Sequence, residues 1–192
     1  MNPEETGEYA EGDILMPPQQ SRNGLKDVTF RWDKGHIPYV IEGYFSKYQE
    51  QRDTIMKAIA DYHRLTCLRF VPYNGQKDYI TIQSENIGCF SSIGRIGGRQ
   101  VVNLQIPGCI SKKGTVLHEL LHAIGFIHEQ SRPERDDYVT IQYDNIKPGK
   151  AFRELHSSVQ GYLSHSYPPV SYDMCNNIGP PWRASYRTSS GS

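Results

Sequence analysis

The alternation of apolar and polar residues predicts a strand followed by a long helix near the start of the chain. β-Branched and aromatic residues at 37–41 lie between Gly35 and Gly43, a composition typical of a strand. From Ser46, a suitable N-cap, to about Leu65, apolar residues recur every three or four positions, which predicts a helix with one buried face. These apolar residues are Ile55, Met56, Ile59, Ala60 and Tyr62.

Strand-like runs continue through the middle of the chain and end at a second helix. Residues 67–71, 79–83 and 100–106 are separated by glycine-containing turn signals, which predicts three further strands. Residues 115–126 are apolar nearly all round a helical projection, as expected of a buried helix. Strands that cluster before such a helix favour a mixed α+β domain.

The two ends of the chain lack this periodicity. Residues 1–35 have no regular apolar pattern, and the polar, turn-prone stretch at 17–24 suits a cleavable segment, so we interpret this region as a pro-segment. After residue 128 the chain is predicted to be irregular, because prolines interrupt regular elements. These prolines are Pro133, Pro148, Pro168, Pro169, Pro180 and Pro181.

Charge and composition narrow the classes of function. The 21 Lys plus Arg balance 21 Asp plus Glu, so no net field indicates nucleic acid or an anionic membrane as the partner. No apolar run approaches the ~18 residues of a membrane span, and we expect a soluble protein. The four cysteines form no C-x-x-C pair, which disfavours a thiolate zinc site and favours disulfides made in an oxidising compartment.

The second helix carries a metal-binding motif. His118 and His122 lie one turn apart, so both imidazoles project from the same face and can bind one ion. Gly125 can adopt the left-handed conformation that ends a helix, which lets His128 return to that ion as a third ligand. Glu119 lies about 100° around the helix from His118, where it can reach a water on the metal rather than the metal itself.

Three protein ligands leave one coordination position for water, as in catalytic zinc sites. Zinc lowers the pKa of that water towards ~7, and Glu119 accepts its proton as it attacks a peptide carbonyl. The alternative is that these are ordinary buried polar residues, but unpaired polar groups on an apolar helix are costly. The sequence therefore predicts one Zn²⁺ per chain and the hydrolysis of peptide bonds.

The pattern His-Glu-x-x-His-x-x-Gly-x-x-His is the metzincin form of the zincin motif, and its surroundings are more specific. Residues 125–136 closely resemble the astacin family of metalloendopeptidases, and further similar stretches lie at 37–41, 94–100 and 145–146. The resemblance covers roughly residues 9–155. It implies a metzincin fold, with a mixed twisted sheet and two long helices in the N-terminal lobe and an irregular C-terminal lobe.

The resemblance also implies a mechanism of latency. The stretch Ala10-Glu11-Gly12-Asp13 is similar to the family's pro-segment motif Phe-x-Gly-Asp, whose Asp takes the water position on zinc and keeps the precursor silent. Asp13 fits that role. Ala10 replaces the usual Phe, which leaves the anchoring of this segment open, and an acidic turn in a disordered tail is the alternative.

Processing would then divide the chain at Arg22-Asn23, with residues 1–22 as the pro-segment and residues 23–192 as the catalytic domain. The resemblance implies that the freed amine of Asn23 pairs with Glu129, directly after the third ligand. A solvent-exposed Glu129 is the alternative.

The resemblance implies one disulfide between two of the cysteines and leaves the pairing of the other two open. Cys89 and Cys109 correspond to the family's short disulfide. Cys67 matches another paired cysteine whose usual partner lies close to the end of a longer domain. Cys175 could take that place, and two unpaired thiols are the alternative.

The C-terminal part departs from the family pattern. Metzincins place a methionine-containing turn beneath the metal, for which Met174 is the candidate, but the His-Tyr that follows it in astacins is absent. An incidental methionine in a proline-rich tail is the alternative. Residues 179–192 resemble nothing in the family, so we expect the C-terminal part to be truncated or divergent.

Three functions remain to be compared. The first is an active, secreted zinc endopeptidase that cleaves proteins or peptides; the second is an impaired relative that keeps zinc and binds peptides or matrix. A purely structural zinc domain predicts a fourth protein ligand, for which the sequence gives no convincing candidate. Glu119 favours the first, because an impaired relative does not need the base. We also expect a monomer whose signal peptide is not present in the polar, acidic residues 1–5.

Overall fold

The computed structural model describes Tyr9 and residues 11–15, 30–128, 135–137, 140–142 and 144. In this part of the chain, strands precede a first helix, and further strands cluster before a second helix, as predicted for an α+β domain, which confirms the fold class. They are β1 (Ile14–Leu15), β2 (His36–Ile41), α1 (Gln49–Leu65), β3 (Arg69–Pro72), β4 (Tyr79–Gln83), β5 (Cys89–Ser92), β6 (Arg99–Leu104) and α2 (Lys113–Ala123). Among these residues, neither helix combines the length and the apolar character that crossing a membrane requires.

The strands form one mixed sheet in the order β1-β5-β6-β4-β2-β3. Pairing is parallel throughout, except that β5 and β6 run antiparallel. The strand at one edge is β1, which pairs with β5 at only two positions, Ile14 with Ser91 and Leu15 with Ser92. The N-terminal segment, defined here as Tyr9 and residues 11–15, therefore extends the sheet beyond β5.

Both helices share the core that the sheet provides. From α1, Ile55 and Ile59 enter this core, and from α2, Val116 and Leu120 do so. All four side chains are at most 2% exposed, and each buried branched or leucine side chain contributes roughly 1.5–3 kcal/mol relative to an exposed one. Because α2 contacts α1, β5 and β6, the helix that carries the metal motif is held from several sides.

The first helix begins later than the pattern indicates. Residues Gly43–Lys47 form a 3-10 turn, in which the Ser46 hydroxyl donates to the carbonyl oxygen of Gly43 at 2.5 Å. Ser46 is therefore not the N-cap, and α1 starts at Gln49. Met56, which the periodicity assigns to the buried face, is 39% exposed.

The sequence pattern did not predict the two strands β1 and β5. Residues Cys89–Ser92 form β5, and its two serines, Ser91 and Ser92, are at most 1% exposed. A strand with polar residues facing inward has no apolar alternation to reveal it. The Ser91 backbone N–H instead donates to the carbonyl oxygen of Asp13 at 3.0 Å, which ties β5 to the N-terminal segment.

A disulfide joins Cys89 of β5 to Cys109, with Cα atoms 5.7 Å apart, as the resemblance implies. It connects the sheet to the turn that precedes α2. Cys67 is also disulfide-bonded. Cys175, the partner left open by the sequence, lies outside the described residues.

Candidate metal centre

One face of α2 presents two imidazoles to one point. The Nε2 atoms of His118 and His122 lie 3.1 Å apart, with ring planes inclined at 84°. This proximity follows from their four-residue spacing, which places both side chains on the same face of the helix. His122 is buried, whereas the side chain of His118 is 38% exposed, so the centre opens to solvent on the side of His118.

Hydrogen bonds to two backbone carbonyls hold the end of α2 in place. Gly125 has φ of 113°, a conformation that ends a helix at little cost only for glycine. Its N–H donates to the His122 carbonyl at 2.8 Å, and the N–H of Gly94 donates to the same oxygen at 2.9 Å. The indole N–H of Trp32 donates to the Ala123 carbonyl at 2.8 Å. The C-terminal turn of α2 thus has partners from two other parts of the chain.

The reversal at Gly125 brings the third histidine back to the helix. His128 places its Nε2 3.1 Å from that of His118, and the two rings stack with centroids 5.1 Å apart. The three histidines of the motif therefore converge, as the sequence predicts.

The hydrogen bonds of Nδ1 determine the tautomers of His122 and His128. The Nδ1–H of His122 donates to the Phe126 carbonyl at 2.7 Å, and the Nδ1–H of His128 donates to Oε2 of Glu11 at 2.7 Å. These oxygens only accept, and a neutral imidazole has a single N–H. Whenever these rings are neutral, their Nε2 atoms therefore carry lone pairs directed at the shared point, as metal ligation requires.

A carboxylate completes the cluster. Oδ2 of Asp13 lies 2.9 Å from Nε2 of His118, 3.2 Å from that of His128 and 3.6 Å from that of His122. The four donor atoms all lie within 4.8 Å of one another. Three imidazole nitrogens and one carboxylate oxygen make the donor set of a four-coordinate zinc site, so these residues fit zinc.

The N-terminal segment is held by an aromatic contact as well as by strand pairing. The ring of Tyr9 packs against that of Phe90 with centroids 4.3 Å apart, and Ile14 is 2% exposed. The Gly12 N–H donates to the Tyr9 carbonyl at 3.1 Å, closing a turn. Ala10 lies outside the described residues. The anchoring that the sequence left open includes the contact of its neighbour Tyr9 with Phe90.

Charge and burial act against each other at this centre. Burial would raise the pKa of Asp13, but the three histidines around its carboxylate outweigh the effect of burial and hold that pKa far below its usual range. Burial would likewise lower the pKa of His128, but the carboxylates of Asp13 and Glu11 raise it to about 10. The N-terminal segment therefore favours a cation at this point, whether a proton or a metal ion.

Glu119 lies in α2 beside His118 and is fully buried. It does not belong to the group of four converging donors. Glu129, Met174 and the cleavage point Arg22-Asn23 lie outside the described residues.

Glu11 is the residue at this centre that sequence reasoning missed. The sequence contained a signal, since Glu11 stands within the stretch that resembles the pro-segment motif, but the motif leaves that position unspecified. Only the turn in the N-terminal segment brings its carboxylate to His128.

Comparison with known proteins identifies relatives of this arrangement. Residues 24–174 match the family model described as Astacin, a family of peptidases. Zinc metalloproteinase nas-4 of Caenorhabditis elegans is 36% identical over 187 residues, covering 91% of this chain and 57% of that protein. The astacin-like metalloendopeptidase of Mus musculus is 45% identical over 157 residues, covering 76% of this chain and 34% of that protein.

Among solved structures, high choriolytic enzyme 1, a hatching enzyme zinc-protease from Oryzias latipes, is similar with a TM-score of 0.59 and 38% identity. The match covers 67% of this chain and 64% of that one. The chain thus spans about 57% of the length of nas-4 and less of the mouse relative.

Proposed function

The chain belongs to the astacin family of peptidases, and on this premise we propose that it is the latent form of a zinc-dependent endopeptidase. One zinc ion per chain is held by His118, His122 and His128. The observation that carries the proposal is the convergence of three Nε2 atoms, two of which have their lone pairs fixed by an Nδ1–H bond.

Zinc, when bound, supplies Lewis acidity towards a peptide carbonyl and towards water. Glu119, adjacent to His118 and buried, accepts a proton from the attacking water and passes it to the leaving amine. His122 and His128 keep their rings oriented through the Phe126 carbonyl and, in the precursor, Glu11. Retention of Glu119 favours catalysis over an impaired relative.

Asp13 accounts for latency. Its Oδ2 stands against all three imidazoles, where water would otherwise take the fourth position of a catalytic zinc site. Removal of residues 1–22 takes this carboxylate away. The new N-terminal amine of Asn23 then pairs with Glu129.

The N-terminal segment also occupies the place of the substrate. Once β1 leaves, β5 becomes the edge of the sheet beside the metal centre, with backbone groups open to pairing. An extended peptide can add to such an edge as a strand. We therefore assign proteins or peptides as substrates, bound in extended conformation along β5.

Disulfides support an oxidising location, because they persist outside the reducing cytosol. We propose that the protein is secreted and acts as a monomer. Neither nucleic acid nor a membrane is expected as a partner.

The proposal is tested with the purified full chain and the chain lacking residues 1–22. We expect one zinc per chain in both, and cleavage of a generic protein substrate by the shorter chain that a chelator abolishes. The double variant His118→Ala/His122→Ala should lose zinc and cleavage together. Zinc retained by this variant would place the metal elsewhere and contradict the assignment.

A further inference from the structure

Glu11 is buried beside the metal centre without being one of its four donors. Its side chain is 2% exposed, and a buried carboxylate is stable only when its charge is compensated. That compensation includes the Nδ1–H of His128, 2.7 Å from Oε2. Glu11 also has φ of 54°, a conformation uncommon for a residue other than glycine.

Two carboxylates of the N-terminal segment thus act on one imidazole from opposite sides. Glu11 accepts from Nδ1 of His128, and Asp13 lies 3.2 Å from its Nε2. A carboxylate on the outer nitrogen of a metal-binding histidine fixes the tautomer and raises the basicity of the inner nitrogen. Glu11 therefore strengthens the bond between His128 and a metal without contacting the metal.

The other buried ligand is supported differently. The Nδ1–H of His122 donates to the carbonyl of Phe126, which belongs to the same helix end and stays with the catalytic domain. The acceptor for His128 lies in the segment that processing would remove. Processing would therefore take away the Nδ1 acceptor of His128, whereas His122 would keep its own.

We propose that Glu11 is a positioning residue for zinc, which makes the precursor bind zinc more tightly than the processed chain. The N-terminal segment then has two roles: Asp13 blocks the metal, and Glu11 secures its loading through His128. This inference rests on the proposed zinc site.

The test measures zinc affinity of the full chain by competition with a coloured chelator. Glu11→Gln keeps the volume and an acceptor oxygen but removes the charge. Glu50→Gln is the matched control, because Glu50 lies exposed in the first turn of α1. We expect Glu11→Gln to weaken zinc binding about 10- to 100-fold, the usual effect of losing an outer partner, and Glu50→Gln to leave it unchanged.

Two further measurements separate this role from a loss of folding. With Co²⁺ in place of zinc, Glu11→Gln should shift the visible absorption of the metal, which a loss of stability that leaves the ligands of the folded protein unchanged would not do. The full-length Asp13→Ala variant retains Glu11, so it should bind zinc more tightly than the chain lacking residues 1–22.

Equal zinc affinities for Glu11→Gln and the unaltered chain would overturn this inference and leave the proposed function intact. Weaker binding with an unchanged cobalt spectrum, or equal affinity of the Asp13→Ala precursor and the processed chain, would also overturn it. Failure of the unaltered chain to bind zinc would overturn both proposals.

Discussion

The side chains of the metal centre come from two regions that the rest of the fold holds to different extents. We call the end of α2 with the sheet beneath it the permanent region, and the N-terminal segment, which the proposed processing would remove, the removable region. The end of α2 is held by its buried side chains, by the sheet beneath it and by hydrogen bonds that the Gly94 backbone N–H and the Trp32 indole N–H donate to its carbonyl oxygens. The N-terminal segment contributes Asp13 and Glu11, yet pairs with β5 at two positions, whereas β4 pairs with β6 at five. The difference supports the proposal that the fold sets the geometry of the histidines, and that the N-terminal segment controls access to the metal and would leave without disrupting the sheet.

The largest difference in stability is expected when one buried side chain is removed from each region. Leu120→Ala should lower the free energy of unfolding by about 2–5 kcal/mol in both the full and the processed chain, because it leaves a cavity in the core. Ile14→Ala removes a side chain that is 2% exposed, but its cost is limited to the docking free energy of the segment. We expect Ile14→Ala to lower the free energy of unfolding of the full chain less than Leu120→Ala does, and to raise the basal cleavage by the full chain.

Chemical denaturation in the presence of a chelator measures both free energies without a contribution from zinc. If Ile14→Ala were as destabilising as Leu120→Ala, the N-terminal segment would be part of the permanent core, and the contrast between the two regions would fail.

Within the permanent region, we expect substitution of Gly94 by alanine to lower the stability of the fold. It has φ of 66°, and a Cβ there would lie 2.8 Å from the Phe30 carbonyl oxygen. Gly97 has φ of 88° with nothing within 4 Å of such a Cβ, so Gly97→Ala is the matched control. Left-handed strain costs about 1–3 kcal/mol at either position, and Gly94→Ala should cost more by the clash. Equal losses of stability would show that the contact with Phe30 does not matter.

The smallest expected effect concerns the aromatic contact of the removable region. Tyr9→Ala removes the packing on Phe90, worth about 0.5–1.5 kcal/mol beyond buried area. Basal cleavage by the precursor should then rise about twofold to tenfold, since 1.4 kcal/mol is a factor of ten. Tyr44→Ala, at an exposed tyrosine that packs on Tyr48, controls for loss of a ring. Unchanged cleavage after Tyr9→Ala would show that the contact of Tyr9 with Phe90 does not hold the N-terminal segment in place.

The permanent region was largely predictable from the sequence. β4 was predicted with its observed bounds. The positions of His118 and His122 follow from their spacing along α2, because helix geometry is local, and that of His128 follows from the reversal at Gly125. The predicted start of α1 was wrong, because Ser46 belongs to a 3-10 turn at Gly43–Lys47. Local propensity does not distinguish an N-cap from a hydroxyl bonded within such a turn.

The removable region was only partly predictable. The motif pointed to Asp13, but pairing of β1 with β5 is a long-range contact between short strands without apolar alternation. The contact of Tyr9 with Phe90 and that of Glu11 with His128 depend on this pairing. Neither has a local signal in the sequence.

The most direct test of the account compares full chains that carry Asp13→Ala, with and without Glu119→Gln. Asp13→Ala should cleave a generic substrate faster than the unaltered precursor, because the carboxylate no longer stands at the metal. Adding Glu119→Gln should reduce that cleavage by about 10²–10⁴-fold, the usual contribution of general base catalysis, while one zinc per chain is retained. Loss of zinc on adding Glu119→Gln, or equal cleavage by the Asp13→Ala variant and the unaltered precursor, would contradict the account.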